Sequence, residues 1–317
     1  MHQILILSVS CIALLWSAHH LVMGARGLAL RFQISSFAIG LTIVALATTL
    51  PGVMLSFISA LRSTNDLTIG NAVGSNIANI SLVLGIIILI KPEALGSSML
   101  KQSCPILIIA MLFVYSLILD GYMGRVDGCL FLIACIIVIA TFIYKAKYTA
   151  PHDLLLYKFK SAIVASHTLK SNITSLILGV LVLPLSAKCI VSNTANLALW
   201  LGMNEVTIGL TIQAIGTTLP ELVTAVIAAL NDEEELAIGT ILGSNVYNLL
   251  LILAFPALIN PMKINAVILS RDMPVMISLA LLLLFLNMNY KKNLSSWHGG
   301  LLILVYCSYI VSLVLKA

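Results

Sequence analysis

The chain has 317 residues, of which 60% are apolar and only 9% charged, with a formal net charge of +5. No soluble domain of that size can enclose so much apolar surface, so the composition excludes a water-soluble globular protein and predicts an all-α integral membrane protein. The positive balance does not point to nucleic acid, because the basic residues are scattered among loops rather than gathered in a patch.

A span needs about 20 apolar residues to cross the hydrocarbon core. Windows of that kind fall at 3–25, 36–61, 67–90, 100–119, 126–144, 172–194, 204–230, 236–259, 268–289 and 296–316. The third and eighth are rich in Gly, Ser and Asn, so hydropathy marks them least clearly. The longest loop, about 145–171, carries Lys145, Lys147, His152, Lys158, Lys160 and Lys170 and leaves no room for a separate soluble domain. With both termini outside, the inner loops receive 11 of the 17 basic residues. This bias predicts outside termini and a cytoplasmic central loop, in the cell (inner) membrane. The six cysteines show no metal spacing and read as small buried hydrophobes.

The sequence overlays itself at a shift of 169 residues. Ser17–Gly85 aligns with Ser186–Ala254 without a gap, with 28 identities in 69 positions. The matches include prolines and polar residues, which shared hydrophobicity cannot explain. "IGLTI" recurs at Ile39 and Ile208, and "GSN..N" at Gly74–Asn79 and Gly243–Asn248. Each copy holds five spans. An odd number forces the second copy to enter the membrane from the opposite side, so the expected fold is an inverted repeat of five plus five helices. The predicted division is 1–145 for the first repeat, 146–171 for a cytoplasmic linker and 172–317 for the second repeat.

Most of the 12 acids fall in loops or at span ends, including Asp272 and the turn Asp232–Glu235, which reads as solvated. Glu221 alone lies well inside a span, about nine residues or roughly 13 Å from the span end at Leu230. An isolated carboxylate there is either a cation ligand or a proton carrier. Thr217 lies four residues before it and Thr218 three. Pro220 lacks an N–H and frees the Gly216 carbonyl. The next span adds Ser244, Asn245 and Asn248. The first repeat offers Thr48, Thr49, Ser75, Asn76 and Asn79, with Pro51. Carboxylate, hydroxyl, amide and carbonyl oxygens form a hard donor set suited to Na⁺, Ca²⁺ or a similar ion. Equally, such groups serve as hydrogen-bonding glue between helices.

The paired motifs "ATTLPG" (Ala47–Gly52) and "GTTLPE" (Gly216–Glu221), with the two "GSN..N" stretches, resemble the calcium/cation antiporter superfamily, most closely its prokaryotic sodium/calcium exchanger branch. The resemblance covers nearly the whole chain. It implies a monomeric, ten-helix, alternating-access antiporter with no cofactor, in which the first helix of each repeat slides across an eight-helix core. It places Gly52, Asn79, Glu221 and Asn248 around the ions. It implies hydroxyl ligands Thr48, Thr49, Ser75, Thr217, Thr218 and Ser244, and backbone oxygens at Ala45 and Ala214. The pattern is broken at Gly52, where relatives carry Glu, and at Ala47, where they carry Gly. Asn248 stands where exchangers can carry Asp, and His19 where relatives commonly carry Asp.

The missing acid bears on the ion. Two unit charges 4 Å apart interact by about 4 kcal/mol at an effective dielectric of 20. Loss of such a term weakens a divalent ion by roughly a thousandfold. Three readings stay open: sodium/calcium exchange; exchange of a monovalent cation such as K⁺, or of a proton, on Glu221 alone; and a non-transporting ion sensor on the same scaffold. Restoring an acid at position 52 is expected to strengthen Ca²⁺ binding.

Overall fold

The computed structural model describes residues 2–62, 65–92, 98–148, 168–200, 214–289 and 295–314. These form ten helices in chain order: α1 (His2–Phe32), α2 (36–62), α3 (65–90), α4 (Ser98–Ile118), α5 (Arg125–Tyr148), α6 (Leu169–Trp200), α7 (Ala214–Leu230), α8 (234–259), α9 (268–289) and α10 (Ser296–Val314). Among the described residues, nine helices are long and apolar enough to cross a membrane, and α7 is described over a shorter stretch. The first part of the seventh predicted span, and most of the predicted linker, lie outside the described residues.

α1 and α6 run for 31 and 32 residues, beyond the apolar windows 3–25 and 172–194. At 1.5 Å per residue each is about 45–50 Å long, more than the ~30 Å hydrocarbon core, so both must tilt or project from it. Arg26 and Arg31 end the apolar window of α1 without ending the helix. The helix stops at Phe32, just before Gln33 takes a left-handed φ of 55°.

The two long helices pack antiparallel. A Cβ at Gly24 would lie 2.6 Å from the Leu176 backbone, and one at Gly179 would lie 2.7 Å from the Leu21 backbone. Residue numbers rise along one helix as they fall along the other. Because α1 and α6 occupy the same place in their repeats, this crossing is the inversion itself. α2 and α8, by contrast, run parallel. A Cβ at Gly40 would meet the Leu236 carbonyl at 2.4 Å and one at Gly243 the Leu41 carbonyl at 2.3 Å, and Ser56 donates to the Ile252 carbonyl further along.

The third and eighth spans, marked least clearly by their Gly, Ser and Asn content, are as apolar as most of the others and are the most enclosed helices. Within their apolar windows, 72% of residues 68–90 and 94% of residues 234–259 are buried inside the protein. Their buried residues, among them Asn76, Asn79, Ser244, Asn245 and Asn248, are turned away from lipid, which is how helices with so many small and polar residues stay in the membrane. Cysteines divide the other way. Cys104 and Cys135 are buried, but Cys11, Cys129, Cys189 and Cys307 are exposed on helix surfaces. On a membrane helix the outward face is as apolar as the interior, so a small hydrophobe fits either place.

Loop contacts fix which connections share a face. Tyr122–Met123 pairs antiparallel with Met262–Lys263, joining the α4–α5 and α8–α9 connections. On the opposite face, Arg26 Nε lies 2.9 Å from Glu233 Oε1, Ser36 donates to Glu233 Oε2 at 3.0 Å, and Lys91 pairs with Asp232 and Glu234. The turn at 232–235 is therefore not simply solvated: Glu233 is buried and ties α1 and α2 to the α7–α8 connection. The adjacent Asp232 carboxylate holds the Lys91 ammonium above the ordinary lysine range, against the opposing effect of burial. That attraction is complete at neutral pH and is lost only as pH rises through the raised value.

Two outcomes test this packing. Gly243→Val is expected to cost at least 1–3 kcal/mol, because backbone blocks the added side chain. Gly300→Ala, with no neighbour within 4 Å of the new Cβ, should be neutral or stabilise by about 0.5–1 kcal/mol. Thermal melts in detergent report both. A double-mutant cycle of Arg26→Gln and Glu233→Gln is expected to return a coupling of about 0.5–3 kcal/mol.

Candidate cation site

α2, α3, α7 and α8 carry the predicted site residues. Each of α2, α3 and α8 contains a π-helical turn: Gly40–Val44, Asn79–Val83 and Tyr247–Leu251. The latter two fall at equivalent places in the repeat and coincide with Asn79 and Asn248. Such turns interrupt the regular ladder and are frequent at functional sites. Pro51 and Pro220, by contrast, sit inside continuous helices. A fourth π turn, Ile268–Asp272, opens α9.

Contacts across the two halves converge on Glu221, which is 3% exposed. Thr49 Oγ1 donates to the Ala45 carbonyl at 2.7 Å and lies next to the Glu221 side chain, close enough to exchange that bond for one with the carboxyl group. A threonine hydroxyl has one proton. When it donates to Ala45 it can only accept from a protonated Glu221. When Glu221 is ionised, the hydroxyl must turn its proton to the carboxylate. Thr49 thus couples the charge on Glu221 to the Ala45 carbonyl. Thr48 Oγ1 donates to the same carbonyl at 3.0 Å and lies 3.3 Å from Ser244 Oγ, a second bridge between the repeats.

The four helices pack against one another and carry buried polar groups without hydrogen-bond partners among the described residues. They include Glu221 Oε2, both amide atoms of Asn76, Asn79 and Asn245, and the Asn248 Nδ2. An unpaired buried polar group costs about 1–3 kcal/mol, so a concentration of them calls for a ligand or water. Asn76 and Asn245, fully buried, belong to this set as much as Asn79 and Asn248.

Thr48, Thr49, Ser75, Thr218 and Ser244 are all buried, as expected of site residues. Thr217 is exposed instead. A four-residue spacing leaves an offset of about 40° around the helix, enough to carry Thr217 past the covered face. Gly52 is half-buried one turn beyond Thr49. Ala214 is the first described residue of α7, and its side-chain surroundings lie outside the described residues. The Ala45 carbonyl is already engaged by two hydroxyls, so it acts first as an anchor for Thr48 and Thr49. His19 is exposed on α1, edge-on to the His20 ring.

Asp272 was expected at a span end, and it lies in the first π turn of α9. It is nevertheless buried, held by Arg271 Nε at 2.7 Å and the Tyr309 hydroxyl at 3.1 Å. Its immediate neighbour in sequence, Arg271, was the available signal. Because that carboxylate is already compensated, it differs from Glu221, whose described partner is a neutral hydroxyl.

Fold and polar interior together define a multi-pass membrane protein of two inverted five-helix repeats, the plan of a secondary transporter. The chain belongs to the sodium/calcium exchanger protein family, whose model matches residues 2–144 and 171–315. This is a family of membrane cation antiporters and not of enzymes. CaxA of Alkalimonas amylolytica is 36% identical over 95% of both chains. The inner membrane protein YrbG of Escherichia coli is 33% identical over 87% of this chain and 86% of its own. The solved sodium-calcium exchanger NCX_Mj, in crystals soaked with Na⁺ and Sr²⁺, superimposes with a TM-score of 0.81 at 25% identity, covering 98% of each chain.

Thr49→Val is expected to weaken cation binding by about tenfold, the loss of one hydrogen bond of roughly 1.5 kcal/mol. Thr49→Ser should retain most of the affinity. Isothermal titration of the purified protein with Na⁺ and Ca²⁺ checks the pair.

Proposed function

We propose that the protein is a secondary-active cation antiporter that works by alternating access, with one ion site centred on Glu221 near the membrane midplane. The observation that carries this reading is the meeting of Thr49 and Glu221, from opposite repeats, among unpaired asparagine groups. A bare cation meets this need. It neutralises the carboxylate and takes up the amide and hydroxyl oxygens left without partners. Asn79, Asn248, Thr48, Thr49, Ser75, Thr218 and Ser244 supply those oxygens, with Ala45, Ala214 and Thr217 joining as the helices move.

In this reading α1 and α6 are the moving pair. Their shared antiparallel crossing lets them shift together across the other eight helices, exposing the site first to one face and then to the other. The repeats 1–145 and 172–317 form the two halves, and 146–171 is a cytoplasmic linker. The termini lie outside and the protein acts as a monomer in the inner membrane. Na⁺ and Ca²⁺, the ions named for related exchangers, are the first candidates. Gly52 favours a second version of the chemistry, with a monovalent cation or a proton exchanged on one carboxylate.

Ion flux in proteoliposomes, driven by Na⁺, K⁺, Ca²⁺ or H⁺ gradients, tests the proposal. Glu221→Gln is expected to abolish flux while leaving the protein folded. Undiminished flux in that variant would remove Glu221 from the transport step. Ion binding without flux for any cation would instead support a sensor on this scaffold.

A further inference from the structure

Threonine hydroxyls inside these helices follow one habit. Thr42, Thr48, Thr49, Thr141, Thr174 and Thr240 each turn back to a carbonyl three or four residues earlier. Such a bond satisfies the hydroxyl without help from another helix. Thr224, on α7, breaks the habit. It is fully buried, yet its Oγ1 has no hydrogen-bond partner among the described residues. The carbonyls of Pro220 and Glu221 stand four and three residues before it, and it takes neither. A buried hydroxyl left unpaired is unfavourable, so its presence points to a ligand.

Its place on the helix says which ligand. Thr224 follows Glu221 by three residues, so the two share a flank of α7 with Cβ atoms about 5–6 Å apart. Side chains on a helix lean toward its N-terminus, so Thr224 leans toward the turn that carries Glu221. Glu221 Oε2 is itself buried and without a partner among the described residues. A hard cation such as Ca²⁺ holds oxygens at roughly 2.3–2.6 Å, so one ion can touch both side chains.

The repeat register sets this pair apart from ordinary helix packing. Position 224 corresponds to 55, and 221 to 52. The second half combines Glu221 with Thr224. The first combines Gly52 with Leu55, which is 40% exposed. The hydroxyl stands where the acid stands, and both are missing from the other half. Packing alone does not tie a hydroxyl to a carboxylate one turn away.

We propose that Thr224 is a further oxygen ligand of the cation, gripping it together with Glu221 Oε2 from one helix. This rests on the reading that the ion binds at Glu221. Thr224 lies one turn nearer Leu230, so it extends the site from Glu221 toward the face that carries Glu233. Because Leu55 offers no equivalent oxygen, this extension belongs to one half of the protein only.

The test uses full-length protein with Thr224→Val, Thr224→Ser and Glu221→Gln, titrated with Na⁺ and with Ca²⁺ and melted in detergent with and without each cation. Thr224→Val keeps the side-chain shape and removes the hydroxyl. It is expected to weaken cation binding by about tenfold and to shrink the rise in melting temperature that the cation gives. Without cation it should melt at or above native protein, because the unpaired hydroxyl is gone. Thr224→Ser should keep near-native affinity. Native affinity in Thr224→Val, with binding still lost in Glu221→Gln, would overturn the role of Thr224 alone. So would equal loss in the serine and valine variants, or a lower cation-free melt in Thr224→Val with affinity unchanged, which marks a packing residue. Binding retained in Glu221→Gln would instead overturn the underlying site.

Discussion

The antiparallel crossing of α1 and α6 is the constraint from which the remaining geometry follows. Two five-helix units of similar sequence cannot be placed side by side with their first helices antiparallel unless one is inverted in the membrane. Inversion then makes α2 and α8 parallel, since six crossings separate their starting points. Parallel alignment brings Thr48 to Ser244, and the same arrangement brings Thr49 to Glu221. The crossing itself depends on residues with no side chain, because Gly24 and Gly179 each abut the backbone of the other helix. Small residues at a helix contact and polar residues at the centre are thus two consequences of one arrangement.

Much of this was legible in the sequence because a duplicated gene keeps a record of itself. Prolines and asparagines at a constant offset reveal the repeat, and an odd number of spans reveals its inversion. The candidate site was legible for a different reason: polar residues in a hydrocarbon setting stand out against a plain background. Several features were hidden from composition. Helix length escaped because hydropathy measures the lipid, whereas Arg26 and Arg31 continue a helix that has left it. The burial of Glu233 escaped because its partner, Arg26, lies about two hundred residues earlier, and a run of acids in a turn looks the same whether paired or solvated. The π turns at Asn79 and Tyr247 depend on hydrogen-bond geometry that no single residue type announces. The exposure of Thr217 depends on how a neighbouring helix covers α7, which periodicity alone does not define.

Sequence symmetry also exposes a physical difference between the two faces. Asp232, Glu233, Glu234 and Glu235 correspond in the first repeat to Ser63, Thr64, Asn65 and Asp66. Arg26 corresponds to Ala195, and Lys91 to Asn260. The ion pairs that tie α1 and the α3 end to the α7–α8 connection therefore have no equivalent charges on the opposite face. In an inverted-repeat transporter, one access state becomes the other when the two halves exchange conformations. An ideal symmetric pair would give those states equal energy. Here the exchange would separate Arg26 from Glu233, a pair whose side chains are only 17% and 8% exposed, without forming a replacement in register. Separating a largely buried pair costs more than breaking one in water, because each charge keeps part of its desolvation penalty. The charge distribution accordingly favours the state in which this face is latched; on the proposed reading, ion binding at Glu221 would have to supply the differential energy to leave it. On the alternating-access reading, a pair of charges present on one face alone makes the two access states unequal before any ion binds.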